Sequence, residues 1–103
     1  MLLRNFTWAD LPAYAVLNPA HGDEARAEEF LSQPQFTPKR DCFIAEAEDT
    51  EATSKAAGYA FVIPELAIGR TVIQGAVDPS LWGQGFGTAL LSRAIAHSAL
   101  LGA

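Results

Sequence analysis

The chain has 103 residues, with seven basic and twelve acidic side chains for a net charge of −5, and half of its residues are hydrophobic. That length suits one domain, the composition excludes a disordered chain, and a single cysteine excludes an intrachain disulfide framework or a multi-cysteine zinc site. No run of about 18 apolar residues is present, so no membrane span is predicted, and the acidic balance speaks against non-specific nucleic-acid binding.

Leu2 to Phe6 reads as a short strand. Two caps compete for the helix that follows. Thr7 with Asp10 fits a capping box, whereas Asp10 as the cap puts Pro12 in the first turn, where a missing N–H costs little. Asp10 is preferred, because a Thr7 cap carries Pro12 deeper into the helix, and Asn18-Pro19 ends it. Asp23 to Gln33 predicts a second helix, acidic at its N-terminus as the helix dipole favours, with Phe30 and Leu31 as core contacts and Pro34 as its stop. Gln35 to Arg40 reads as a loop.

Asp41 to Glu48 is a predicted strand, Asp49 to Lys55 a polar turn, and Ala56 to Ile63 the second strand of the hairpin, rich in Tyr59, Phe61, Val62 and Ile63. Residues 64–69 form a turn or longer loop. Arg70 to Val77 is the next strand, and Gly75 within it marks a bulge or a close backbone approach. Asp78 to Leu81 leave that strand, and residues 82–87 read as a glycine-rich loop. Thr88 to Leu101 predicts a helix with an apolar stripe through Leu90, Leu91, Ala94, Ile95 and Leu101, and Gly102 is its stop. The order strand, two helices, three strands, helix is a mixed α/β pattern with mainly antiparallel neighbours, not the strict alternation of a doubly wound sheet. The opening residues 1–8 show no signal peptide, so a cytoplasmic location is expected.

Charge is uneven along the chain. Residues 1–51 hold ten acids and four bases, residues 52–103 two acids and three bases, so an anionic ligand prefers the second half. The chemistry concentrates there, in Val77-Asp78-Pro79-Ser80-Leu81-Trp82-Gly83-Gln84-Gly85-Phe86-Gly87-Thr88. Glycines bring backbone N–H groups close to a ligand, and the unpaired N–H groups of a helix start, with the dipole behind them, make an anion site. No lysine lies here, which excludes a P-loop, and the G-x-G-x-x-G fingerprint fails from either Gly83 or Gly85.

This segment resembles motif A of the GNAT acetyltransferases: a strand ending in Val-x-Pro (Val77-Asp78-Pro79), then Arg/Gln-x-x-Gly-x-Gly/Ala, then a helix. Gly85 and Gly87 match the two glycines, and Trp82 stands where the family commonly has Arg or Gln. Residues 3–12 and Gly58-Tyr59-Ala60 are similar to the family's opening and third strand. The resemblance implies a GNAT-type mixed, mainly antiparallel sheet with flanking helices, one domain over residues 1–103 that is incomplete at its C-terminus. It implies acetyl-CoA as co-substrate, no metal, and an amine acceptor on a small molecule or a protein. Gly83, Gln84, Gly85, Phe86, Gly87 and Thr88 would hold the pyrophosphate. Gly75, Ala76 and Val77 would meet the pantetheine arm and acyl carbonyl, with Gly75 near a bulge that splays the strand.

Further family elements, including a helix that often supplies a general-acid tyrosine, have no counterpart here. Thr71 matches the position of the family's occasional glutamate base and cannot serve; Glu65 is the nearest carboxylate in sequence and the one candidate base. The open edge of the fourth strand is expected to pair, in a homodimer through residues 70–77 or beneath a further segment. His97 reads as a packed helix residue with no acid near it in sequence, His21 as solvent-facing, Cys42 as a core residue, and Trp8 and Trp82 as packing anchors, with Trp82 also bordering the cofactor. Two functions follow: an acyl-CoA-dependent N-acyltransferase, or a non-catalytic GNAT-like module with a structural or dimerising role.

Overall fold

Four segments rich in apolar and β-branched side chains form one sheet in the computed structural model, which describes residues 2–18, 23–48 and 54–101. Strands β1 (Leu2–Asn5), β2 (Cys42–Glu48), β3 (Ser54–Glu65) and β4 (Arg70–Val77) lie in that spatial order, each antiparallel to the next. Helices α1 (Leu11–Leu17), α2 (Glu24–Leu31), α3 (Pro38–Asp41) and α4 (Phe86–Leu100) complete the fold. The expected mixed α/β arrangement is what the structure shows. Pro19, His21, most of the predicted turn 49–55 and Gly102 lie outside the described residues.

Alternation along β2 and β3 sorts the core into two layers. Cys42, Ile44, Tyr59 and Phe61 face α1 and α2, where they pack with Phe6, Tyr14, Ala27 and Leu31. Phe43, Ala45, Ala60 and Val62 face the other way, onto Phe86, Leu90 and Ala94 of α4. The register shifts once, between Ala45 and Glu46, where Ala57 has no partner on β2. Burial pushes the Cys42 thiol up, with Asp10 and Asp41 adding to it. We expect this thiol to react with a disulfide reagent far more slowly in the native chain than in urea; equal rates in the two states would contradict its burial.

Of the two N-terminal cap signals, the structure uses the Thr7–Asp10 capping box and not the preferred Asp10 cap. Trp8–Asp10 form a 3₁₀ turn that leads into α1. The Asp10 carboxylate does not cap α1; it accepts from the Thr7 N–H at 2.8 Å and from both terminal nitrogens of Arg4 at 2.7 and 2.6 Å. Asp23 caps α2 through the Arg26 N–H at 2.9 Å. Residues 38–41, predicted as loop and strand start, form the single turn α3, because Pro38 at the first helical position has φ preset and lacks only a donor the helix leaves unpaired.

Helix α4 starts at Phe86, two residues before the predicted Thr88. The glycine loop is shorter than its composition suggests, since Gly85 ends it in a left-handed conformation and buried Phe86 is already a core residue of the helix. The predicted bulge at Gly75 is absent: β3 and β4 pair without a break from Glu65↔Arg70 to Gly58↔Val77. The glycine serves the other expected purpose, close approach, because a Cβ there would stand 2.7 Å from the Tyr59 carbonyl oxygen.

Candidate active site

The site is built where β4 ends. The Asp78 N–H donates to the Ala57 carbonyl at 2.7 Å, toward β3. Antiparallel pairing alternates the direction of successive residues, so Val77 and Gly75 turn their N–H and C=O groups to the open edge of the sheet. Asp78 then caps a 3₁₀ turn, Pro79–Leu81, by accepting from the Ser80 N–H at 2.9 Å and hydroxyl at 2.8 Å. Gly83 and Gly85 carry the chain on at φ +84° and +87°, values that other residues adopt only with strain.

The first intrahelical bond of α4 runs from the Ala89 N–H to the Gly85 carbonyl at 3.0 Å. The N–H groups of Phe86, Gly87 and Thr88 therefore have no acceptor within the helix, and they emerge at its positive end. Between these donors and the edge groups of β4 lies an open cavity of about 740 Å³. Of the predicted binding residues, Gly75, Ala76, Val77, Gly83, Gly85, Phe86, Gly87 and Thr88 line it; Gln84 does not. Trp82, expected at the border, lines it as well.

The rest of the lining (Tyr59, Ala60, Ile73, Leu81, Leu90 and Leu91) was not predicted as part of a site. Two signals could have found it. Ile73 lies two residues from Gly75, and Leu91 lies four after Gly87 on the same helix face.

Glu65 stands apart. It accepts from the Arg70 guanidinium at 2.9 Å as a surface ion pair and does not line the cavity. The Thr71 hydroxyl is hydrogen-bonded to that of Ser98, joining β4 to α4. His97 is not alone: its Nε2 lies 2.7 Å from Oδ1 of Asp41, whose carboxylate also takes two bonds from Arg40 at 2.7 and 2.8 Å. Burial alone would push the Asp41 carboxyl up; the bonds from Arg40 and His97 outweigh it and hold the group below the usual range. His97 also packs edge-on against Phe43, and the Arg93 guanidinium lies over that ring at 5.3 Å. None of this cluster lines the cavity.

Residues 3–103 match the acetyltransferase (GNAT) family. The chain is a member of that family. Solved structures agree on the fold. A GCN5-related N-acetyltransferase from Sphaerobacter thermophilus is 28% identical, with a TM-score of 0.69, over 95% of this chain and 32% of its own. Rv2747 from Mycobacterium tuberculosis, solved in complex with CoA and NLQ, is 20% identical, with a TM-score of 0.74, over 98% of this chain and 59% of its own. A putative phosphinothricin N-acetyltransferase is 22% identical, with a TM-score of 0.68, over 98% of this chain and 66% of its own. The chain thus spans from about a third to about two thirds of those proteins. No curated protein matches it.

The cavity of this GNAT chain carries almost no acid–base chemistry. Among its lining residues only Tyr59 titrates, and burial pushes its phenol up, with Tyr14 and Cys42 adding to the effect. No carboxylate, imidazole or amine lines it. Its polar character comes from the backbone: the amides at the start of α4 and along the open edge of β4. Among the described residues no three His, Cys, Asp or Glu side chains gather as a metal set, and no helix is long and apolar enough to cross a membrane.

Proposed function

We propose that this chain binds a coenzyme A thioester, acetyl-CoA in the first instance, in the cavity between β4 and α4. An amine attacks the thioester carbonyl directly, a C–N bond forms as the C–S bond breaks, and coenzyme A leaves as a thiolate that takes a proton from water. The pyrophosphate meets the free N–H groups of Phe86, Gly87 and Thr88 and the loop amides of Gly83 to Gly85, with Gln84 beside them. The pantetheine arm runs along the open edge of β4 past Val77, Ala76 and Gly75, and an outward N–H at the far end of that edge supports the developing oxyanion. One observation carries this reading: a single cavity joins three unpartnered helix-start amides to outward-facing edge groups of a strand, which is the donor pattern that a phosphate and an amide-bearing arm require.

No base is assigned. Glu65 is engaged by Arg70 and lies off the cavity, so the proton of the amine leaves through water or to a group outside this lining. That same lack of titrating side chains favours the second reading, a non-catalytic module that binds coenzyme A without transferring the acyl group. The outward edge of β4 supports pairing of residues 70–77 with a further strand, from a second copy or another segment. A cytoplasmic setting and one domain over residues 1–103 complete the reading.

The test is a calorimetric titration of coenzyme A into the chain and two variants. We expect saturable binding by the wild type and a loss of about tenfold or more in Gly85→Val, because a β-branched residue resists φ near +87° and turns the loop amides away. Gly85→Asn tolerates that conformation and keeps most of the affinity. A folded wild type that shows no saturable binding overturns the proposal. Turnover of acetyl-CoA with an amine then separates the enzyme from the binding module.

A further inference from the structure

Trp82 is placed in a way that packing does not explain. It is 69% exposed, the largest side chain to be left so far in water, yet it is not loose. Its indole N–H donates to the Val77 carbonyl at 2.8 Å, which ties the first residue after the 3₁₀ turn back to the last residue of β4. The bond holds an apolar ring across the strand exit, where Trp82, Leu81 and Val77 together line one stretch of the cavity.

That stretch has a definite position along the ligand's route. On one side are the amides at the start of α4; on the other are the outward edge groups of Val77 and Gly75. In chain order Val77, Leu81 and Trp82 stand between these two sets of groups, and all three line the cavity. Residues 82–88 hold no lysine or arginine and none lines the cavity, so among the described residues the phosphate end meets neutral amides and the helix dipole. Apolar contact elsewhere must then supply a larger share of the affinity. In coenzyme A, the segment between the pyrophosphate and the first arm amide contains a quaternary carbon bearing two methyls, an apolar branch that an aromatic ring can cover.

Resting on the reading that the cavity takes coenzyme A, we infer that Trp82 is a specificity-determining residue for the pantetheine arm: its fixed indole face takes the branched dimethyl segment next to the pyrophosphate. Its hydrogen bond to Val77 also occupies one edge acceptor, so the arm's own N–H groups are left to the Gly75 carbonyl farther along β4.

Three ligands separate the parts of the molecule: coenzyme A, pantetheine, and adenosine 3′,5′-bisphosphate. Binding is followed through the Trp82 indole N–H resonance, distinguished from that of Trp8 with Trp8→Phe, and through dissociation constants. Pantetheine alone should shift the Trp82 resonance. Trp82→Ala should weaken coenzyme A and pantetheine by about tenfold each, the effect of losing one ring's apolar contact, and leave adenosine 3′,5′-bisphosphate unchanged. Trp82→Phe keeps an aromatic face without the N–H that fixes it and should fall between wild type and Trp82→Ala for coenzyme A and pantetheine, with adenosine 3′,5′-bisphosphate unchanged. Weakening of the bisphosphate instead would assign the ring to the adenine and overturn the inference, as would equal weakening of all three ligands, which marks a loop-positioning role. If wild type binds coenzyme A and Trp82→Ala binds it equally well, this inference falls and the cavity reading stands. If wild type binds no coenzyme A, both fall.

Discussion

Gly58→Val should destabilise the chain by about 3 kcal/mol, the upper part of the range for overpacking a closed site. Gly58 lies on β3 opposite Val77, and a Cβ there would meet the Ala76 carbonyl oxygen at 2.7 Å, Leu90 Cδ1 at 3.0 Å and Val77 Cγ2 at 3.1 Å. The leucine terminus can rotate away, but the carbonyl belongs to the strand backbone and cannot retreat without opening the β3–β4 ladder. Gly58→Ala adds only the Cβ and should cost about half as much. Gly87→Ala is the control: its Cβ meets only Val77 Cγ2, at an ordinary 3.7 Å, in a helix where alanine is favoured, so its midpoint should move by less than about 0.5 kcal/mol. Urea unfolding midpoints check all three. A Gly58→Val chain as stable as wild type would mean that β3 and β4 leave room for a side chain at this position.

Asp41→Ala should cost about 3 kcal/mol, the lower end of the range for breaking a buried ion pair. Asp41 is 1% exposed and accepts from Arg40 and His97. Alanine leaves the imidazole, itself largely buried, without its acceptor; the Arg40 guanidinium is half exposed and recovers water, which limits the loss. The acid dependence has a definite sign. Because the native carboxyl is held below its ordinary value, the unfolded chain takes up this proton first as pH falls. The stability Asp41 contributes is complete above the usual carboxylate range, roughly pH 4, and is lost as pH drops through the lower native value. Asp10, held low in the same sense against its burial by Arg4 and Thr7, adds a second contribution of that sign. Asp41→Asn should therefore show a shallower loss of stability between about pH 5 and pH 2 than wild type. An identical acid profile would show that Asp41 is not ionised in the fold.

The strands were legible because their signal is local. Thr71, Val72 and Ile73 between turn residues set β4 at Arg70–Val77, the same bounds the structure has. The glycine turn and the helix start were legible from their own residues, and the resemblance carried by Val77-Asp78-Pro79 and the glycines pointed to the strand beside them. What was missed depends on pairing across the fold. His97 looked solitary because its acid is 56 positions away, on a turn that meets α4 only once the sheet is covered. Gly75 was consistent with a bulge or with close approach, and only the register against Tyr59 and Ala60 decides between them. The single turn α3 is too short to show helical periodicity, although Pro38 marks its start. Ile73 and Leu91 read as ordinary core positions, and they line the cavity because β4 lies at the sheet's edge and leaves that side open.

Strand β1 pairs with β2 across the whole of α1, α2 and α3, whereas β2, β3 and β4 follow one another directly and α4 comes next. The ladder between β1 and β2 must close a long excursion of chain before it gains anything, while the other ladders close short ones. Every residue that lines the cavity falls between Tyr59 and Leu91. The binding surface is encoded in one uninterrupted stretch, and the order of assembly that the connectivity favours brings its walls together before the amino-terminal strand and its helices dock on the opposite face.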